Sequence, residues 1–351
     1  MSGFISTDLV LVTGGNGYVA QHVVDQLLRQ EGQPRVRATV RSETSAKQIK
    51  DYFAADLSSG RLSVVLVPEI VVEDAFDEAL NGVTHVAHVA SPLALGIDNV
   101  EADLLKPAIE GAVGILRAAT KFPSVRSMVI TGSFLSAFDP AYSLRPGYTY
   151  TPDDWNPISY SEASSQELDL TQWEPLWRPL ITYMASKKLA EEAVWKARDT
   201  IKPRFDVSVV LPAYIGGPSV LPLQRGTQSG SLSVQVIWKA VTEQSLPPVD
   251  YPYWVDVRDV AKVHIQALLH PEADGKRFIL ATGGVTYSDI AEVARKHFPQ
   301  LQPSMEQQSD VEFYQVESSQ SLRILNLGPW IPLEKMVVDT LSQLLDTRVT
   351  N

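Results

Sequence analysis

Six short runs rich in β-branched residues recur along the first 212 residues, and stretches with helical periodicity separate them. The runs are LVLVTG (9–14), RVRATVR (35–41), SVVLVP (63–68), THVAHVA (84–90), SMVITGS (127–133) and DVSVVLP (206–212). Helices are predicted between them at 19–30, 74–80, 104–120 and 183–198. Strands that alternate with helices form βαβ units. The sequence therefore predicts an α/β fold with a doubly wound parallel sheet.

The composition restricts the partners of the chain. Its 351 residues are 44% hydrophobic, which is enough for two domains or for one large domain with an added lobe. A formal net charge of −11 works against nucleic acid and anionic membranes, because both require a basic surface. Cysteine is absent, and the chain has neither a basic leader nor an apolar run of about 18 residues. We therefore expect a cytoplasmic protein that binds neither nucleic acid nor a membrane.

A glycine-rich turn, TGGNGYVA (13–20), lies between the first predicted strand and the first predicted helix. Glycines let the backbone approach a pyrophosphate, and the helix N-terminus supplies N–H donors and a partial positive charge. The alternative is an ordinary glycine-rich βα turn, and the G-x-x-G spacing differs from the dehydrogenase G-x-G-x-x-G. The position of the turn favours a dinucleotide site. The predicted contacts are Thr13, Gly14, Asn16, Gly17, Tyr18 and Val19.

The turn predicts that residues 1–212 form a dinucleotide-binding domain of the Rossmann type. After about residue 213 the pattern is less regular, with stretches rich in Pro, Gly and Ser between helical pieces at 259–269 and 287–298. We expect residues 213–351 to form a smaller, discontinuous, mostly C-terminal substrate-binding lobe, from which segments near 235–262 return to the first domain. The long segment 139–180 contains six prolines and three tryptophans, and we expect it to cover the site or to carry structure of its own.

The second predicted strand ends in Thr39-Val40-Arg41-Ser42, and no acidic residue stands at the strand end. A carboxylate in this place bonds the ribose of NAD, whereas an arginine forms a bidentate contact with a 2′-phosphate. The alternative is that Arg41 faces solvent. The sequence favours NADPH over NADH.

Ser133 ends the fifth predicted strand, and Tyr183 and Lys187 follow at i and i+4 in the helical stretch TYMASKKLAEE (182–192). A phenol has an unperturbed pKa of about 10, and an adjacent ammonium lowers it. We expect Tyr183 to donate a proton to a carbonyl oxygen while Ser133 stabilises the developing alkoxide. Lys187 is expected to lower the Tyr183 pKa and to bond the nicotinamide ribose. The alternative is a surface tyrosine and lysine, because the pair alone is a weak motif.

The other residue pairs and motifs that we considered indicate no further functional site. His85 and His88 lie at odd spacing in one predicted strand, so they point to opposite faces, and we predict no metal site. The absence of G-x-S-x-G, Walker and H-E-x-x-H motifs argues against hydrolase and kinase functions. Glu191 and Glu192 are interpreted as a solvated helix face.

These motifs together resemble those of the extended short-chain dehydrogenase/reductases. Within that family the chain is most similar to the group of dihydroflavonol reductase, cinnamoyl-CoA reductase and the fungal NADPH-dependent methylglyoxal and aldehyde reductases. The resemblance covers most of the chain and rests on VTGGNGYVAQHVVDQLL, VRSETSAKQ, HVASPL, PAIEGAVGIL, MVITGSFLSAFD, the Tyr183–Lys187 pair, LPAYIGGP and VDVRDVAKVHIQALL.

The resemblance implies that Ser133, Tyr183 and Lys187 are the catalytic set. It also implies that NADPH is bound by Gly14, Gly17, Arg41 and Lys47, and that the backbone at Pro212, Ala213 and Tyr214 meets the nicotinamide. Further cofactor contacts are expected at Glu69, Ile70, Ala90 and Ser91, and from Tyr183 and Lys187 themselves. The substrate pocket is expected to include Ser91, Leu93, Phe134, Tyr214 and Trp254.

Three departures from the family pattern are present. Glu69 stands where an aspartate near the adenine is usual, and Gly132 replaces the common serine before Ser133. The interval from Ser133 to Tyr183 is about a dozen residues longer than the family norm, with the excess in or near SQELDLTQWEPLWRP (165–179). We expect this insertion to line or cap the pocket with Trp173 and Trp177, so analogy does not name the substrate.

The sequence thus predicts an NADPH-dependent reductase of aldehydes or ketones, and we expect a monomer or homodimer. The resemblance to the fungal reductases implies fungal secondary metabolism as its setting. The expected substrate is an apolar or aromatic small molecule. One alternative is an epimerase or dehydratase on the same fold, which Arg41 disfavours. Another is a dinucleotide-binding sensor, which the Tyr183–Lys187 pair disfavours.

Overall fold

The structure is a computed structural model that describes residues 3–91, 99–165, 167–175, 177–223 and 231–349. Its strands are β1 (Leu9–Val12), β2 (Arg35–Val40), β3 (Leu62–Leu66), β4 (His85–His88), β5 (Ser127–Thr131), β6 (Thr149–Tyr150), β7 (Asp206–Pro212), β8 (Tyr214–Gly216), β9 (Trp254–Asp256), β10 (Arg277–Leu280) and β11 (Gln315–Val316). Seven of them form one parallel sheet in the order β10-β7-β5-β4-β1-β2-β3. The predicted α/β fold is confirmed.

The strand order reverses beside β1, and this reversal positions the site. Strands β2 and β3 continue the sheet on one side of β1, and β4, β5, β7 and β10 continue it on the other. Val12 lies opposite Ala38 of β2 and Ala87 of β4, so the carboxyl ends of these three strands are level. In open parallel sheets ligands bind in the crevice at such a reversal.

Helices cover both faces of the sheet. They are α1 (Tyr18–Leu28), α2 (Glu43–Tyr52), α3 (Ala54–Ser58), α4 (Asp77–Leu80), α5 (Lys106–Thr120), α6 (Tyr160–Ser164), α7 (Ile181–Ile201), α8 (Leu232–Thr242), α9 (Val257–Leu269), α10 (Tyr287–His297), α11 (Ser319–Ile324) and α12 (Leu333–Val349). Helices α1 and α9 pack side by side on one face, and α5 and α7 pack on the other. None of the helices among the described residues is long and apolar enough to cross a membrane.

A separate cluster of buried side chains holds α8, α10 and α12 together. It contains Val234, Ile237, Ile290, Val337 and Leu341. The short strands β8 and β9 pair beneath these helices, with Tyr214 opposite Trp254. These elements lie beyond residue 212, whereas α9 and β10 return to the central sheet. The division of the chain at residue 212 stays a prediction.

The segment 139–180 carries short elements of its own. Its strand β6 pairs with β11, and helix α6 begins with a capping box in which Ser159 and Glu162 bond each other's backbone N–H groups. Single turns of 3₁₀ helix cover Pro140–Tyr142, Leu170–Gln172 and Arg178–Leu180. The segment is thus built of short turns packed against the core.

All six strands predicted from the sequence are present, although most end one or two residues earlier than expected. The predicted helix at 183–198 spans Ile181–Ile201. Strand β10 was not predicted. Its four residues, RFIL, are too short a run for a periodic pattern to emerge, and their place in the sheet comes from pairing with β7.

Candidate functional site

The glycine turn after β1 has no room for side chains. Gly14 has a positive φ of 68°, and a Cβ on it would lie 3.2 Å from Ala90. A Cβ on Gly15 would lie 2.8 Å from the Cβ of Ala38, while the Gly15 N–H donates to the Thr39 carbonyl at 2.8 Å. The turn therefore needs glycine for both its backbone conformation and its close packing, and its backbone stays open to a ligand.

Helix α1 begins at this turn with its N-terminus free of acidic side chains. Gly17 is the N-cap residue and provides no side-chain acceptor for the first N–H groups of the helix. Those N–H groups and the helix dipole favour an anionic ligand. The Tyr18 hydroxyl donates to the Gly217 carbonyl at 2.6 Å, so Tyr18 anchors the turn to the segment after β8.

Thr13 ties the end of β1 to the end of β4. Its Oγ1 accepts hydrogen bonds from the N–H groups of Val89 and Ala90, both at 3.0 Å, and lies 2.9 Å from Nδ1 of His88. These contacts fix the backbone at Ala90 beside Gly14. Two predicted cofactor contacts, Thr13 and Ala90, therefore lie at the strand reversal.

Arg41 is exposed at the end of β2, immediately before helix α2. Ser42 caps this helix by accepting from the Ser45 N–H at 3.2 Å, and Asn16 donates to the Ser45 hydroxyl at 3.2 Å. Arg41 therefore lies next to the glycine turn, at the positive end of α2. Lys47 is also exposed, and its ammonium pairs with Asp51 at 2.6 Å.

The remaining predicted cofactor residues lie around the ends of β3 and β4. Glu69 is exposed after β3, and Ile70 is half-buried where a Cβ on Gly111 of α5 would touch it. Ser91 is exposed, and its hydroxyl accepts a hydrogen bond from the Lys187 ammonium at 3.0 Å. Leu93, predicted in the substrate pocket, lies outside the described residues.

Ser133, Tyr183 and Lys187 line one cavity of about 510 Å³. Ser133 follows β5, and its hydroxyl accepts the N–H of Leu135 at 3.2 Å at the start of a 3₁₀ turn. Tyr183 and Lys187 project from the first turns of α7, which packs along α5. The structure thus brings together three residues that lie on two elements 50 residues apart in sequence.

Apolar and aromatic side chains form most of the remaining cavity wall. They include Leu135, Trp177, Leu180, Tyr214, Val236 and Tyr251, and the backbone at Pro212 and Ala213 contributes to the same wall. Trp177 was anticipated as part of the insertion, whereas Trp173 is buried and does not line the cavity. Leu180 and Val236 were missed, because neither position belongs to a motif.

Burial shifts the pKa values of both Tyr183 and Lys187. It raises the pKa of Tyr183 to about 12, and it lowers the pKa of Lys187 to about 8, against the opposing charge of Glu191. The Tyr183 pKa shift is opposite to the direction expected from the sequence, because burial removes the water that would stabilise the phenolate. Tyr183 therefore keeps its proton at neutral pH and is available as a donor.

Two residues expected in the substrate pocket lie in the core instead. Phe134 is fully buried, packs against Phe138 and Tyr150, and does not line the cavity. Trp254 is buried behind Tyr214, with ring centroids 4.9 Å apart. Of the aromatic residues predicted for the pocket, Tyr214 lines the cavity.

The interpretation of Glu191 and Glu192 as a solvated pair was half wrong. Glu192 is partly exposed and pairs with Lys188 at 3.0 Å. Glu191 is buried and forms an ion pair with Arg277 of β10 at 2.6 Å. A sequence pattern could not reveal this partner, because β10 itself was not predicted.

Known proteins match the chain over most of its length. The pattern that defines the NAD dependent epimerase/dehydratase family matches residues 10–281. Aldehyde reductase 2 of Sporidiobolus salmonicolor is 32% identical over 337 residues, which is 94% of each chain. The NADPH-dependent methylglyoxal reductase of Saccharomyces cerevisiae is 31% identical over 304 residues, which is 83% of each chain.

The fold also matches a solved structure closely. The crystal structure of the yeast methylglyoxal/isovaleraldehyde reductase Gre2, complexed with NADPH, superimposes with a TM-score of 0.86 at 27% identity. The match covers 98% of this chain and 100% of that chain. The resemblance inferred from the sequence motifs is confirmed, and it extends through both the central sheet and the C-terminal elements.

Proposed function

We propose that the chain, which belongs to the NAD dependent epimerase/dehydratase family, is an NADPH-dependent carbonyl reductase. It reduces an aldehyde or a ketone to an alcohol. One observation carries the proposal: Ser133, Tyr183 and Lys187 line a single cavity at the sheet edge that also bears the glycine turn. The names of the yeast and Sporidiobolus relatives, a methylglyoxal reductase and an aldehyde reductase, support the same reaction.

The residues around the sheet edge fit NADPH. The glycine turn excludes side chains, so a pyrophosphate has access to the backbone and to the start of α1. Arg41 is an exposed cation at the end of β2 and is suited to a 2′-phosphate. Lys187, Ser91 and the backbone from Pro212 to Tyr214 would hold the nicotinamide end.

Tyr183 supplies the proton of the reduction. Bound NADPH supplies a hydride to the carbonyl carbon. The Tyr183 hydroxyl, which is protonated at neutral pH, transfers its proton to the carbonyl oxygen as negative charge develops there. A phenol remains more acidic than the alcohol that forms, so this transfer is favourable.

Ser133 and Lys187 both assist the proton transfer. The Ser133 hydroxyl donates a hydrogen bond to the carbonyl oxygen and stabilises its charge as it develops. The Lys187 ammonium stabilises the phenolate that Tyr183 becomes. Its pKa of about 8 leaves it mostly charged at neutral pH.

The cavity wall favours an apolar substrate. The cavity of about 510 Å³ would be shared by the nicotinamide end of the cofactor, next to Lys187 and Pro212, and a small substrate, and its wall is largely aromatic and aliphatic. Its charged side chains are Lys187 and Lys239, and no carboxylate lines it among the described residues.

We assign the protein to the cytosol, acting as a monomer or homodimer on small aliphatic or aryl carbonyl compounds.

The purified protein should reduce carbonyl compounds with NADPH as the reductant. We expect consumption of NADPH, followed by its absorbance, with some members of a panel of aliphatic aldehydes, aryl ketones and dicarbonyl compounds. Isolation of the matching alcohol provides the control for non-productive oxidation. Tight NADPH binding without turnover of any carbonyl compound would instead indicate a dinucleotide sensor or a non-redox enzyme.

Trp177→Leu should change which substrates are preferred. Trp177 lines the cavity and packs on Phe138, with ring centroids 5.0 Å apart. A smaller side chain enlarges the cavity, so we expect kcat/KM for bulky aryl ketones to rise relative to small aldehydes by about 10-fold. The measurement is a comparison of kcat/KM over the panel.

Trp173→Leu is the matched control, since Trp173 is buried in the same segment without lining the cavity. Both variants lose a buried indole, so both should unfold at lower temperature. Equal preference changes in the two variants would show that the effect comes from the segment and not from the cavity wall.

A further inference from the structure

Glu191 lies one helical turn after Lys187 and is almost completely buried, with 2% of its side chain exposed. Its carboxylate accepts from Arg277 twice, at 2.6 and 3.2 Å. It also accepts from the Ser136 hydroxyl at 2.5 Å and from the Trp195 indole N–H at 3.2 Å. Four hydrogen bonds satisfy both carboxylate oxygens, which is how a buried charge is tolerated.

Arg277 holds this carboxylate from the edge strand β10. One nitrogen of its guanidinium donates to the carbonyl oxygens of Pro152 and Asp154, each at 2.6 Å. The guanidinium also lies over the ring of Trp155, 3.7 Å from its centroid. The Arg277 side chain is thus held by two carbonyl oxygens and by the Trp155 ring, and its ion pair holds the Glu191 carboxylate in place.

Ser136 connects the carboxylate to the loop that carries Ser133. The Ser136 hydroxyl lies 2.5 Å from the Glu191 carboxylate and 2.7 Å from the Ser133 carbonyl oxygen. The Ser136 N–H donates to the same carbonyl oxygen at 3.0 Å. Glu191 therefore joins the end of β5 to the catalytic helix α7.

Glu191 also faces Lys187 across a small cavity. The cavity has a volume of about 30 Å³, enough for a single water molecule, and both side chains line it. His88 of β4 lines it too, but burial lowers its pKa to about 3, so it is neutral at working pH. Helix α5 contributes Ala108 and Ala112. Glu191 is thus the carboxylate that faces Lys187 among the described residues.

We propose that Glu191 is a positioning residue for the reduction, which keeps the Lys187 ammonium charged and holds the Ser133 loop against the catalytic helix. The inference rests on the proposed function, because it takes Ser133, Tyr183 and Lys187 as the residues that perform the chemistry. Burial alone drives Lys187 toward its neutral form, and the Glu191 carboxylate opposes this effect.

Glu191→Gln tests the charge while it preserves the shape of the side chain. Without the carboxylate, Lys187 loses its proton at a lower pH, so the alkaline limb of the kcat/KM profile should move down by about one pH unit. At neutral pH kcat should fall while the dissociation constant of NADPH, measured by fluorescence titration, stays close to the wild-type value. A residue with only a structural role would lower the melting temperature and leave the limb in place.

A second variant keeps the test possible if Glu191→Gln does not fold. Removing one partner of a buried ion pair leaves an uncompensated charge, which is strongly destabilising, here at Arg277. Glu191→Gln/Arg277→Met removes both charges with little change in volume. It should fold, and its alkaline limb should also move down, by less than in Glu191→Gln, because the positive charge of Arg277 is removed together with the carboxylate.

Glu192→Gln is the matched control, because it makes the same chemical change at the next position of α7, where the partly exposed Glu192 pairs with Lys188 and not with Arg277. This control should keep the wild-type profile. If both Glu191 variants kept the wild-type pH dependence of kcat/KM, the inference about Glu191 would be overturned and the proposed function would stand. A wild type that reduces no carbonyl compound would overturn the proposed function and this inference with it.

Discussion

Tyr183→Phe should abolish most of the carbonyl reduction while the protein still binds NADPH. The substitution removes the hydroxyl to which we assign the proton transfer and keeps the ring in its place on the cavity wall. Proton transfer from a positioned side chain contributes about 10²- to 10⁴-fold, so we expect kcat to fall by that factor. Turnover of the panel and fluorescence titration with NADPH measure the two effects separately.

Tyr214→Phe provides the matched control for a cavity tyrosine. Tyr214 lines the same cavity, but its hydroxyl donates to Asp250 at 3.2 Å, and burial raises its pKa well above the usual value. We expect this variant to retain most of its kcat. If Tyr183→Phe kept near-wild-type turnover, another group would have to supply the proton.

Arg41→Asp should weaken the binding of NADPH far more than the binding of NADH. A guanidinium bound to a phosphate contributes about 1.5–3 kcal/mol, so the Michaelis constant for NADPH should rise by about 10- to 100-fold. NADH lacks the 2′-phosphate, and an aspartate at the end of β2 is able to bond its ribose. The Michaelis constants for the two cofactors, measured with one carbonyl substrate, give the comparison.

Arg35→Asp is the control for the charge change, because Arg35 is exposed at the opposite end of the same strand. It should alter both Michaelis constants little. Equal increases for NADPH and NADH in Arg41→Asp would contradict the assignment of Arg41 to the 2′-phosphate.

The parts of the site that the sequence predicted are those with a local pattern. The glycine turn lies between a strand and a helix. Tyr183 and Lys187 are one helical turn apart in a run of residues that favour helix. Because carboxyl ends of parallel strands meet at one edge, Ser133 could be assigned to the same edge from its place after β5.

The missed parts depend on contacts between distant residues. Glu191 and Arg277 are 86 positions apart, and neither belongs to a recognisable spacing. The burial of Phe134 also escaped prediction, because it depends on packing against Phe138 and Tyr150 in the core. The balance of burial against charge at Tyr183 required knowledge of its surroundings as well.

The hydrogen bonds of Arg277 bear on how the substrate range of the protein can change. Its bonds to the carbonyl oxygens of Pro152 and Asp154 secure the chain before the insertion, and α7 secures it after. The residues between these anchors contribute Trp177 to the cavity wall. The part of the cavity wall that this segment supplies can therefore be exchanged, in evolution or by design, while Ser133, Tyr183 and Lys187 keep their places after β5 and on α7.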